Sequence, residues 1–151
     1  MEELNIYCDG GARGNPGPAA SAFAVLIKGK EIYNESRFLG KATNNVAEYN
    51  AVLMAYKWLA NYSDKKRYSK IIFFLDSQLV VKQLSGLYKI KSKNLKPLII
   101  SIKKMEDNLK INIFYNFIPR NKNHRTDFLV NKILDENIKK ISRPSIFEKN
   151  L

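Results

Sequence analysis

The run Ile71-Ile72-Phe73-Phe74-Leu75 constrains the fold more than any other stretch of the chain. Five consecutive apolar residues between polar segments mark a central strand buried on both faces. Such a strand needs helices on its sheet, and the chain supplies them. Ala47, Ala51, Met54, Ala55, Trp58, Leu59 and Tyr62 recur at helical spacing, which makes Trp58 a core residue. Shorter helices are expected from Ser77 to Leu84, from Asn94 to Asp107 with Pro97 in the first turn, and from Thr126 to Ile138. Upstream, Leu4–Asp9, Ala20–Ile27 and Glu31–Phe38 read as successive strands, the last two joined by a hairpin turn at Lys28-Gly29-Lys30. Lys110–Ile118 reads as a final strand with Ile111, Ile113, Tyr115 and Phe117 on one face. Three strands in succession, then helices alternating with strands, give an α/β fold with a mixed sheet. With 151 residues and no internal linker, a single domain over residues 1–140 is expected, followed by a basic tail over 141–151.

Two apolar strands end in carboxylates. Leu75 is followed by Asp76, and Tyr7-Cys8 by Asp9 and then the loop Gly10-Gly11-Ala12-Arg13-Gly14-Asn15-Pro16-Gly17-Pro18. If the strands are parallel neighbours, both acids lie at one sheet edge. Glu48 falls in the first turn of the long helix and Asp127 in the first turn of the last helix. Any one of the four reads as a helix-terminal charge or cap. Four carboxylates at one place repel one another, and a cation has to offset that repulsion. An all-oxygen set without a Cys/His cluster favours Mg²⁺ or Mn²⁺ over zinc. The glycine loop excludes two alternatives. A P-loop requires Lys and then Ser or Thr after its last glycine, and a dinucleotide fingerprint opens a helix, whereas Pro16 and Pro18 here precede a strand.

Twenty-six Lys and Arg against 14 Asp and Glu give a net charge of +12. An excess of that size suits a polyanionic partner such as nucleic acid, although a solubilising or thermophilic surface has the same composition. Cys8 is the single cysteine, so no intramolecular disulfide forms, and it reads as a small buried hydrophobe. No apolar run is long enough to span a bilayer. The acidic start Met1-Glu2-Glu3 lacks the order of a secretion signal, so the cytoplasm is the expected location.

Four ordered segments resemble the motifs of type 1 ribonuclease H: Asp9-Gly10-Gly11 with Gly14-Asn15-Pro16-Gly17; Thr43-Asn44-Asn45-Val46-Ala47-Glu48; Asp76-Ser77-Gln78; and Ile118-Pro119-Arg120 through Asn123 to Thr126-Asp127. The resemblance extends from Leu4 to Ile138. It implies a ribonuclease H-like, five-stranded mixed sheet flanked by helices, and a monomer that cuts the RNA strand of RNA–DNA hybrids. Asp9, Glu48, Asp76 and Asp127 would be the catalytic, metal-holding residues. Asp9 would be shared by two Mg²⁺ ions, Asp127 would serve the ion on the water side, and Glu48 and Asp76 the ion on the leaving-group side. Products would carry 5′-phosphate and 3′-hydroxyl ends.

The same resemblance places substrate contacts at the Gly10 backbone and at Asn15, Asn44, Asn45 and Gln78, amides suited to a 2′-hydroxyl. Thr43, with Asn94, matches a pocket for a DNA-strand phosphate, and Arg13 is a further phosphate candidate. For each amide a turn or cap role competes. The chain departs from many relatives in lacking a basic helical protrusion, since only Ser85–Lys93 spans that region. Tyr88 in it is a candidate for base stacking or for anchoring the loop. In the final loop the resemblance aligns Asn123, ahead of His124, with a mobile histidine that assists product release in some relatives. Two readings compete with the enzyme on hybrids: a catalytically inactive hybrid or double-stranded RNA binding module of the same fold, and a relative that cuts double-stranded RNA or junctions.

Overall fold

The computed structural model describes residues 2–142. Strands β1 (Glu2–Ala12), β2 (Gly17–Ile27) and β3 (Lys30–Ala42) form an antiparallel meander. Helix α1 (Asn44–Asn61) leads through a 3-10 turn to β4 (Tyr68–Leu75), which pairs parallel to β1. Helices α2 (Gln78–Leu84) and α3 (Lys96–Leu109) precede β5 (Asn112–Phe117), parallel to β4, and α4 (His124–Ser142) closes the described chain. The sheet order is β3-β2-β1-β4-β5, the five-stranded mixed arrangement expected from the sequence.

Period-two alternation sorts the two faces of the sheet. Leu4, Ile6 and Cys8 of β1, Phe23 and Val25 of β2 and Ile71, Phe73 and Leu75 of β4 point into a core closed by α1, α2 and α3. On the other face, Ala20 and Ala22 of β2 lie beneath Leu129, Val130 and Leu134 of α4. The small alanines allow that helix to sit close to the strand. Because α4 lies over β1, β2 and β3, the second face of β4 is only half covered. Burial on both faces of β4 is therefore corrected: Ile72 and Phe74 remain partly exposed, and Phe74 stacks on Tyr7 at 4.8 Å between ring centroids.

Local signals explain most element limits. Lys28 and Gly29 both have positive φ, 50° and 78°, the twist that a two-residue hairpin needs. The Thr43 hydroxyl accepts from the Val46 N–H at 3.2 Å and caps α1. Helix α1 thus begins at Asn44, and Glu48 falls in its second turn, one turn later than expected. Ser77 caps α2 in the same manner, accepting from the Val80 N–H. Three expectations needed adjustment. Strand β4 starts at Tyr68, inside the segment read as a polar connection, because Tyr68 points inward while Ser69 is exposed. Helix α4 starts at His124, two residues early, because the Asn123 carbonyl accepts from the Asp127 N–H. Phe117 is exposed, since β5 is an edge strand. Helix α4 runs past the expected domain limit at residue 140, and the rest of the basic tail, 143–151, lies outside the described residues.

Candidate active site

The site is built where β1 and β4 part. Their parallel ladder ends at the pair Tyr7–Phe74, two residues before Asp9 on one strand and two before Asp76 on the other. Strand β1 continues, paired with β2 as far as Ala12, so Asp9 lies within a regular strand opposite Ala22. Helix α1 brings Glu48 across the opening. It comes so close that a Cβ on Gly10 would stand 2.2 Å from the Ala47 carbonyl carbon and 2.5 Å from the Glu48 nitrogen. Glycine is required there for the approach of helix to strand. The Ser21 hydroxyl, opposite Gly10 on β2, donates to the Ala47 carbonyl and locks the contact.

Asp9, Glu48 and Asp76 line one small cup together with Cys8, Leu75 and Ser77. Asp127 completes the set from the first turn of α4, within electrostatic range of Asp9. The structure therefore brings together the four acids singled out in the sequence. Asp9 is only 7% exposed, and the Gly10 N–H donates to its Oδ1 at 2.9 Å. Burial, then the charge of Asp76, push its carboxyl up to about 8; Asp127 and Glu48 act in the same direction, and the Gly10 N–H opposes them. Burial and Asp76 raise Glu48 to about 7, against a stabilising pull from Ser77 and Arg120. The Oε2 atom of Glu48 is buried without a hydrogen-bond partner. Buried polar atoms are rarely left so. Among the described residues no three Asp, Glu, His or Cys side chains stand at the close spacing of a finished ion cage. Oxygen-only donors, two acids held against ionisation and an orphaned carboxylate oxygen fit hard divalent cations.

The expected substrate residues divide by the use the fold makes of them. The Asn44 Oδ1 accepts from the Ala12 N–H at 2.8 Å, and the Asn15 Oδ1 accepts from the Asn44 N–H at 3.0 Å, so both oxygens tie the glycine loop to α1. Arg13 is engaged by α4, 2.6 Å from Asp135 and 3.2 Å from the Asn131 oxygen. Asn45 and Gln78 make no side-chain hydrogen bond to any of the described residues. Gln78 is exposed at the start of α2. Asn15, Thr43 and Asn45 share a depression of about 260 Å³ with Ser92 and Asn94, which joins the end of the 85–93 loop to the start of α1. Tyr88 is half exposed, with the Lys82 ammonium 5.0 Å from its ring centroid.

Asn123 is tied into the fold on both sides of the β1–β4 opening. It is buried, and its Nδ2 donates to the Cys8 carbonyl at 2.9 Å and to the Asp76 Oδ2 at 3.2 Å. His124 is the exposed neighbour, beside an apolar cup on the α4 face that Tyr7, Ala24 and Leu26 also line. Sequence reasoning gave no role to three residues that shape the site: Ser21, Thr126 and Arg120. Thr126 and Arg120 stood in the fourth motif, and only Ser21 left no signal.

Residues 7–133 match the family model described as reverse transcriptase-like. The ribonuclease HI of Halobacterium salinarum is 34% identical over 138 residues, covering 88% of this chain and 65% of that protein. A bifunctional protein of Mycobacterium tuberculosis is 34% identical over 134 residues, 86% of this chain. The chain spans only 35% of the length of that protein, as it does for the other mycobacterial relatives. Among solved structures, LC11-RNase H1 in complex with an RNA/DNA hybrid superposes with a TM-score of 0.85 at 38% identity, over 89% of this chain and 99% of that one. The halobacterial RNase H1 structure superposes with a TM-score of 0.81 at 32% identity, over 89% and 98%. The chain belongs to the type 1 ribonuclease H family.

Proposed function

We propose that the chain is an endonuclease that hydrolyses the RNA strand of RNA–DNA hybrids with divalent cations, leaving 5′-phosphate and 3′-hydroxyl ends. The observation that carries this reading is the convergence of the acids: Asp9, Glu48 and Asp76 line one cup between β1, α1 and β4, and Asp127 approaches from the first turn of α4. Two Mg²⁺ ions, or Mn²⁺ in their place, would be held by these four side chains; bound there, they supply charge stabilisation for the attacking and departing oxygens of an in-line displacement. The relative crystallised with a hybrid supports the substrate class.

The protein's own residues do the rest. The burial that raises Asp9 and Glu48 keeps the metal-free site partly protonated, so cation binding releases protons. The amides of Asn45 and Gln78, unengaged among the described residues, would read a 2′-hydroxyl, which both donates and accepts. Asn15 and Asn44 hold the loop and offer only their amide nitrogens. The Thr43–Asn94 depression suits a phosphate of the DNA strand. Arg13 reaches a phosphate only by leaving Asp135. The single buried thiol suits a reducing cytoplasm, and the reading takes the protein as a monomer.

The test is cleavage of labelled RNA–DNA hybrid, double-stranded RNA and single-stranded RNA with Mg²⁺, Mn²⁺ or EDTA. Hybrid cleavage with either ion and none in EDTA is the expected result. Cleavage that persists in EDTA would refute the metal mechanism. Tight hybrid binding without cleavage under either ion would make the protein a binding module, and preferential cleavage of double-stranded RNA would change its substrate.

A further inference from the structure

We infer that Asn123 is a positioning residue whose carboxamide and main-chain carbonyl together set three of the four acids relative to one another. Where the β1–β4 ladder stops at Tyr7–Phe74, the next β1 carbonyl, that of Cys8, has no partner from β4. The Asn123 amide enters this opening from the turn before α4. Its two N–H groups divide between the strands: one meets the Cys8 carbonyl, which precedes Asp9, and the other the Asp76 carboxylate. Its Oδ1 accepts from the Thr126 hydroxyl at 2.6 Å, and that hydroxyl also lies 3.2 Å from the Asn123 carbonyl. The same carbonyl accepts the Asp127 N–H and starts α4. Asp76 and Asp127 are therefore each one hydrogen bond from Asn123, and Asp9 follows Cys8, which accepts a third.

The chemistry requires an amide. The acceptors Cys8 O and Asp76 demand a double donor, and the shorter of the two Thr126 hydroxyl contacts, at 2.6 Å, uses an acceptor on the same planar group. Only Asn or Gln carries both. Asn123 and Thr126 are 1% and 0% exposed, so neither bond is exchanged for water. An Asp in this place would keep the shape, set an acceptor against two acceptors and add a fifth negative charge. Ligands held by such outer partners keep their aim, and losing the partner costs roughly 10–100-fold in metal affinity or activity.

The inference rests on the proposed metal-dependent cleavage, and the test separates the two. Asn123→Ala, Asn123→Asp, Thr126→Val and Thr126→Ser are compared with wild type by melting in EDTA, by Mn²⁺ titration calorimetry of the metal-free protein, and by kcat and KM on the hybrid. Asn123→Ala is expected to lose about 10–100-fold in kcat and about tenfold in Mn²⁺ affinity, with KM within about twofold. Asn123→Asp should lose more. Thr126→Ser, which keeps the hydroxyl, should match wild type, while Thr126→Val should fall between wild type and Asn123→Ala. If Asn123→Ala does not fold, the two Thr126 variants carry the test. The inference is overturned if Asn123→Ala keeps wild-type kcat and Mn²⁺ affinity, or if Thr126→Ser loses as much as Thr126→Val. A wild-type protein that binds Mn²⁺ but cuts no hybrid would sink the proposed function alone, and the Mn²⁺ affinities of the variants would still judge Asn123.

Discussion

Helix α1 serves two regions of opposite character. Near its N-terminus the Ala47 and Glu48 backbone presses on Gly10, and the Glu48 carboxylate is buried with one oxygen unpaired. Ten residues on, about 15 Å along the axis, Trp58 stacks between Tyr33 and Tyr62 at 5.1 and 4.5 Å between ring centroids, with Phe23 tilted against it at 6.3 Å. Tyr62 continues the stack to Tyr68 at the start of β4. The first region carries repulsion and an orphaned polar atom; the second carries aromatic contact and closed hydrogen bonds, such as that between the Tyr56 and Tyr115 hydroxyls. The difference teaches that the aromatic end stabilises a fold whose acidic end is held in an unfavourable state.

The sharpest way to break this comparison is at the helix–strand contact. Gly10→Ala puts a methyl group into the Ala47 backbone, which cannot yield as a side chain would. A loss of stability above ~3 kcal/mol is expected, with little folded protein recovered. Gly11→Ala next to it meets nothing within 4 Å and serves as the control. Urea unfolding of the two variants checks the contrast.

Trp58→Ala probes the other end. Loss of a half-buried indole and its stacking should cost about 2–4 kcal/mol in chemical unfolding. Hybrid cleavage per folded molecule should stay at the wild-type rate, because no catalytic side chain touches it.

The next effect is a dependence on pH. Asp9 and Glu48, raised to about 8 and about 7, hold protons in the folded protein that they release when unfolded. Stability in EDTA should therefore fall as pH rises from about 5 to 8, the window between ordinary carboxyl values and these raised ones. Glu2 and Glu31, held below their ordinary values by Lys28 and Arg125, act in the opposite sense and only at lower pH. A melting temperature that is flat or rising over pH 5–8 in EDTA would contradict the strained-site picture. The smallest effect belongs to Arg13→Ala. Its bonds to Asp135 and Asn131 are partly exposed, so a change within about 1 kcal/mol is expected in the same unfolding assay.

The acids were legible in the sequence because chain logic placed them: Asp9 and Asp76 end apolar strands, and Asp127 sits in a first helical turn. Trp58 was legible as core from helical spacing alone. Asn123 stood out as a motif position, but its role as a buried double donor was not legible, because that role depends on where two strands separated by more than sixty residues stop pairing. No local pattern encodes that point. The start of β4 was hidden by the polar side chains of Ser69 and Lys70, which face away from the core around an inward Tyr68. The half-covered face of β4 was hidden for another reason: a continuous apolar run does not tell which strands α4 will lie across.

The central claim is that the four carboxylates are kept together against their own repulsion for divalent cations. Asp9→Asn removes the charge that couples to the other three and keeps the side-chain shape. Melting of the two proteins at pH 8, first in EDTA and then in excess Mg²⁺, tests the claim most directly. In EDTA the variant should melt higher than wild type, by about 2–8 °C if 1–2 kcal/mol of repulsion is relieved. Mg²⁺ should raise wild type well above its EDTA value and leave the variant nearly unmoved. A variant that melts below wild type in EDTA, or a wild type indifferent to Mg²⁺, would contradict it.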